Sequence, residues 1–180
     1  HDPNAIIVIE WADRLGMDLP SRYLRIDFLI QENTRSLAFD FVYPSRLRSD
    51  KIPLHYEEWQ TPEHVRAHCR QVAHVGQKLA ETYIQKGELI DINLLYTSCM
   101  LHDMTRVCDF KTLDRDKFSE EVTEAKWDKW LDLRQRFARR HHADIAYEVL
   151  AAQGFTETAE VIRLHKSTAL IDEWEAFDTL

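Results

Sequence analysis

Two hydrophobic periods divide the chain. Residues 5–11 open with an apolar, β-branched run, Ala5-Ile6-Ile7-Val8-Ile9, which ends in Glu10-Trp11 and suits a buried strand. Residues 23–30 alternate, with Leu24, Ile26, Phe28 and Ile30 on one face. Residues 36–43 alternate again through Leu37, Phe39 and Phe41. The polar stretch Gln31-Glu32-Asn33-Thr34 between them is turn-like, so the two runs predict a β-hairpin. Three strands are too few to stand as a domain by themselves.

Residues 44–61 carry Pro44, Pro53 and charges and read as a connector, with the linker placed at 46–61. From Pro62 the period becomes helical. Thr61-Pro62-Glu63 reads as a helix start, with Thr61 as N-cap and Pro62 at the first helical position. Val65, Cys69, Val72, Val75 and Leu79 then recur every three or four residues, predicting a helix that runs to about Gln85 and is closed by Gly87. Residues 89–104 predict a largely buried second helix. Residues 120–140 predict a solvated amphipathic helix bearing Trp127, Trp130, Leu131, Leu133 and Phe137. Residues 142–153 predict a helix stopped by Gly154, and residues 156–164 another, capped by Thr156. The fold class expected is mainly α, a helical bundle with a small N-terminal β segment, α+β overall.

With 180 residues, 44% hydrophobic and 30% charged, the chain has the composition of one globular domain, or one plus a fragment. Its net charge of -8 argues against direct nucleic-acid binding, which draws on clustered Lys and Arg. Three cysteines are too few and unevenly spaced for a disulfide framework, which points to a reducing, cytoplasmic setting. No apolar run approaches the ~18 residues of a membrane span. A chain that opens on His1 almost inside an apolar run, and closes abruptly on Phe177-Asp178-Thr179-Leu180, is expected to have lost sequence upstream and beyond.

Of the nine histidines, seven fall on or at the ends of the predicted helices. His64, His68 and His74 lie on the first long helix, and His102-Asp103 ends the second. His141-His142 opens a third and His165 ends a fourth. Imidazole with an adjacent carboxylate is the ligand set of a divalent metal, Mn, Fe, Co, Ni, Zn or Mg, and bundle cores build such sites from facing helices. A carboxylate beside a histidine can bridge two cations, which together would clamp a phosphoester. His64 and His68 carry the four-residue spacing of helical ligands.

Four ordered elements resemble the HD-domain metal-dependent phosphohydrolases. They are Thr61-Pro62-Glu63-His64-Val65-Arg66-Ala67-His68-Cys69-Arg70-Gln71-Val72-Ala73, the apolar run from Leu94 into His102-Asp103, His142-Ala143-Asp144-Ile145-Ala146 with Leu150 and Gly154, and Ala159 to His165. The resemblance covers about residues 54–180, and the HD-type domain is placed at 62–180. It implies a phosphohydrolase, a phosphomonoesterase or phosphodiesterase, that acts on a nucleotide or other small phosphorylated substrate with one or two divalent metal ions. By resemblance His68, His102 and Asp103 are primary ligands, with His102 and Asp103 catalytic. His142, preferred over His141 because Ala143 and Leu150 keep the register, and His165 are the additional ligands. Arg106 and Lys166 are the implied phosphate contacts. The family's distal Asp has no match here; Asp172 and Asp178 are the remaining candidates.

Residues 1–45 resemble the C-terminal end of TsaE, the P-loop ATPase that supports threonylcarbamoyladenosine synthesis on tRNA. The resemblance rests on Ile9-Glu10-Trp11, Leu19-Pro20, Leu24-Arg25-Ile26 and Arg35. It implies a nucleotide-site remnant at Glu10 and Trp11, and tRNA-modification proteins as partners. No Gly-x-x-x-x-Gly-Lys-Ser/Thr occurs, so the chain holds no phosphate cradle of its own. The expectation is a fusion of a TsaE-like module with an HD module. The alternative is a non-catalytic regulatory or docking module attached to that ATPase.

Overall fold

The structure is a computed structural model that describes residues 6–15, 19–32 and 34–166. The chain divides into two compact units, His1–Pro44 and Ser45–Leu180.

In the first unit, β1 (Tyr23–Gln31) and β2 (Thr34–Val42) form the expected antiparallel hairpin. Its register pairs Leu24 with Phe41, Ile26 with Phe39 and Phe28 with Leu37, so the alternating apolar residues meet across the ladder. Arg25 reaches Asp27 at 3.1 Å and Asp40 at 3.3 Å. The strand expected over residues 5–11 does not form among the described residues. Residues 6–9 pair with no neighbouring strand, and Ile6 is 91% exposed. An extended segment without a ladder partner gains nothing from its β-branched side chains.

The second unit is helical: α1 (Ile52–Glu58), α2 (Glu63–Gln85), α3 (Ile92–Leu101), α4 (Glu124–Arg136), α5 (His142–Ala152) and α6 (Thr156–Leu164). The span 46–61, expected as a linker, corrects to a core element. It holds α1 and buries Leu47, Ile52, Tyr56 and Trp59 beside Met100, Leu101, Met104, Trp130, Ile145, Leu150 and Ile162. Seven helical residues fall below the length at which a period is legible, and Pro53 masked the rest.

Thr61 is not the cap of α2. Pro62 occupies that position, while Thr61 is fully buried and donates its hydroxyl to Met104 O at 2.8 Å. Tyr56 likewise donates to Met100 O. The capping hydroxyl was thus spent on a buried carbonyl that needed a partner. α2 ends before Gly87, whose φ of 94° suits glycine. Thr156 is the first residue of α6, and Phe155 is its N-cap.

α4 is shorter than expected and less solvated on one face. Trp130 is fully buried and donates Nε1–H to Gln60 O at 2.8 Å. α3 packs against α2 and α6, and α5 packs against α6. The ends of α3, α5 and α6 converge next to the N-terminal part of α2, at His68. No described helix is long and apolar enough to cross a membrane.

Candidate metal centre

Four helices deliver one residue or pair each. His68 comes from the body of α2. His102 caps the C-terminus of α3 and Asp103 follows it. His142 is the first residue of α5, and His165 caps the C-terminus of α6. All five line one open cleft of about 330 Å³, together with Arg106, His141 and Lys166.

Asp103 sits at the middle, and its two oxygens face different histidines. Oδ2 lies 3.8 Å from His102 Nε2 and 4.0 Å from His68 Nε2. Oδ1 lies 2.9 Å from His142 Nε2 and 3.8 Å from His165 Nε2. His142 and His165 bring their Nε2 atoms within 3.2 Å of each other. Two three-residue groups result, His68–His102–Asp103 and Asp103–His142–His165, each with its ligand atoms within 4.8 Å and with Asp103 shared.

The rings are oriented from behind. His102 places Nδ1 2.8 Å from Cys99 O, and His165 places Nδ1 2.5 Å from Ile162 O. A carbonyl can only accept, so each Nδ1 carries the proton and each Nε2 lone pair faces the cleft. That is the tautomer a metal needs. The donor set therefore fits one or two divalent ions: neutral imidazole nitrogens and a carboxylate with an oxygen toward each group.

Electrostatics agree with the geometry. Burial alone would raise the Asp103 pKa. The hydrogen bond from His142, with the charges of His102, His142 and Arg106, outweighs it and holds the carboxyl at about 2. Burial pushes His102 down, toward the neutral form that ligates. Burial would also lower His142, but its bonds to Asp103 and Asp109 overcome this and raise it.

The adjacent pair His141-His142 is divided by the helix start. His142 points at Asp103, whereas His141 is the N-cap of α5 and accepts Ala143 N–H through Nδ1 at 3.1 Å. His64 is not drawn into the cluster; its ring stacks on Phe110, with centroids 5.8 Å apart. Arg106 and Lys166 line the cleft, but each already holds a carboxylate. Arg106 pairs with Asp109 at 3.2 Å and Lys166 with Asp144 at 2.9 Å. Glu10 and Trp11 belong to the first unit and are exposed there. Asp172 and Asp178 lie outside the described residues.

Asp109 was not singled out from the sequence, where it merely opens a charged stretch. It belongs to a third group, with His141 and His142. The short 3-10 turn Arg106–Asp109 folds it back onto α5, and no periodicity in a four-residue turn announces that.

No family model, no curated protein and no solved structure matches this chain.

Proposed function

We propose that the helical unit is an HD-type metal-dependent phosphohydrolase acting on a nucleotide or another small phosphoester. The observation that carries this reading is the division of Asp103, with one oxygen toward His68 and His102 and the other toward His142 and His165. Bound there, one or two divalent cations would supply Lewis acidity toward a water and a phosphoryl oxygen. The protein's own part is positional. His68, His102, His142 and His165 offer ring nitrogens, and Asp103 stays ionised to bridge them. Arg106 and Lys166 at the rim bring positive charge to a phosphate, provided they exchange Asp109 and Asp144 for it.

The test is hydrolysis of p-nitrophenyl phosphate, its bis ester and a panel of nucleotides by the metal-stripped chain, with Mn, Co, Ni or Mg restored. Metal-dependent turnover that falls at least ~100-fold in Asp103→Ala supports the reading. Equal turnover with and without metal, or none, overturns it.

A second reading, a docking module for a TsaE-like tRNA-modification ATPase, is favoured by one observation. The C-terminal half of α2 exposes Val75, Leu79, Tyr83 and Ile84. Stable binding to such proteins without turnover would support that reading instead.

A further inference from the structure

The proposed ligand set leaves Asp109 without a role, yet it holds the most connected carboxylate beside the cleft. Oδ2 accepts the backbone N–H of His142 at 3.0 Å and stands 2.7 Å from His142 Nδ1. Arg106 Nη1 lies 3.2 Å from Oδ1 and 3.4 Å from Oδ2.

The reason lies in which end of a helix each histidine occupies. His102 and His165 stand at helix C-termini, where the carbonyls of Cys99 and Ile162, three residues back, are no longer taken up by a continuing helix and accept Nδ1–H, Ile162 O alongside the backbone N–H of His165. His142 opens its helix. No helical carbonyl precedes it, so an acceptor must come from elsewhere in the chain. The turn Arg106–Asp109 supplies one, braced against the same residue by Thr105, which donates its hydroxyl to His142 O at 2.7 Å.

Arg106 Nη1 also stands 2.7 Å from His142 Nδ1, and that nitrogen cannot both donate to Asp109 and accept from Arg106. The two arrangements have opposite consequences. Donation to Asp109 leaves the Nε2 lone pair for coordination. Acceptance from Arg106 puts the proton on Nε2 and removes His142 from the ligand set. Asp109 has no proton to give, and Arg106 finds its partner in the same carboxylate, so the first arrangement satisfies all three groups.

We infer that Asp109 is a positioning residue for the metal centre: it accepts Nδ1–H of His142 and so directs the His142 Nε2 lone pair at the cation shared with Asp103 and His165. The inference rests on the metal-centre reading above. It gives His142 an anionic acceptor where His102 and His165 have neutral ones, which strengthens His142 as a donor.

The experiment is zinc titration of the full 180-residue chain by calorimetry, with long-range proton–nitrogen NMR of the histidine rings, on wild type, Asp109→Ala and Asp109→Asn. The expected result is zinc binding by wild type with His142 protonated at Nδ1 and coordinated through Nε2. Zinc affinity should fall about 10- to 100-fold in Asp109→Ala, with a smaller loss in Asp109→Asn, which keeps an accepting oxygen without the charge. The Nδ1–H signals of His102 and His165 should stay in place in both variants, which separates lost positioning from a damaged fold. Undiminished affinity in the variants, or a zinc-loaded wild type whose His142 carries its proton on Nε2, overturns the inference and leaves the metal centre standing. Absence of zinc binding by wild type overturns both. Asp109→Asn, close to isosteric, decides the matter if the alanine variant does not fold.

Discussion

His142 Nε2 lies 2.9 Å from Asp103 Oδ1, the shortest approach between a ring nitrogen and that carboxylate in the cleft. The contact joins the end of α3 to the beginning of α5. It ties the histidines on the Oδ1 side to the same carboxylate that His68 and His102 approach from Oδ2.

Because Asp103 divides its oxygens, the two groups should be separable. His68→Ala removes a ligand from the Oδ2 side only, and His165→Ala from the Oδ1 side only. Elemental analysis of purified protein should find each variant with about one bound divalent ion fewer than a wild type that holds two. Asp103→Ala should empty both sides. Equal loss from both sides in either histidine variant would show a single site.

The metal-free chain should carry a pH signature of the Asp103–His142 pair. Asp103 is depressed from 3.8 to about 2, so its contribution is present above about pH 4 and is lost as pH falls toward 2. His142 is raised from 6.5, so its contribution is present below pH 6.5 and is lost as pH rises through the folded value. The Asp103 shift, which His142 shares with His102 and Arg106, is worth about 2 kcal/mol in all, and His142 shares its own between Asp103 and Asp109. Thermal melts in chelator should show the largest gap between wild type and Asp103→Asn from about pH 4 to 6.5. The gap should narrow on both sides, and a pH-independent gap would contradict the pairing.

His55 acts in the opposite direction. It is 6% exposed, its Nδ1 has no partner, and burial lowers its pKa despite the nearby Glu58. Below pH 6.5 the unfolded chain takes up a proton that the folded one resists, so stability falls with pH. His55→Leu should relieve both costs. The variant should be more stable than wild type by about 1 kcal/mol at pH 7 and by more at pH 5, read from urea midpoints.

Thr105 tests the brace between the His-Asp turn and α5. It is fully buried and its hydroxyl satisfies His142 O. Thr105→Val keeps the shape and removes the hydroxyl's bond to a carbonyl that α5 also uses, at an expected cost of about 1 kcal/mol. It should also weaken metal binding, because the same turn carries Asp109. Thr105→Ser, which keeps the hydroxyl, should bind metal like wild type.

The hairpin was legible because its alternation is unbroken and its partner strand is its sequence neighbour. α2 was legible over nearly its full length, from the recurrence of Val65, Cys69, Val72 and Leu79 to the stop at Gly87. α1 was not, because what makes it part of the core is burial of Ile52 and Tyr56 against α3, a contact with no trace in local period. Residues 5–11 failed in the reverse sense. Their composition suits a strand, but a strand exists only where another pairs with it.

At the centre, the residue types and their order along the chain were determined by sequence: His68, His102-Asp103, His142 and His165 stand on, or at the ends of, helices that their own apolar periods define. Packing decided the rest. It placed three helix ends beside α2, so that one carboxylate faces two histidine pairs. It turned His142 inward and left His141 to cap α5. It also brought Asp109 behind the His142 ring. The physical reason is one of range. A helix is held by bonds four residues apart and is written locally. Which ring nitrogen faces which oxygen depends on contacts between segments far apart in the chain, and those exist only once the core has closed.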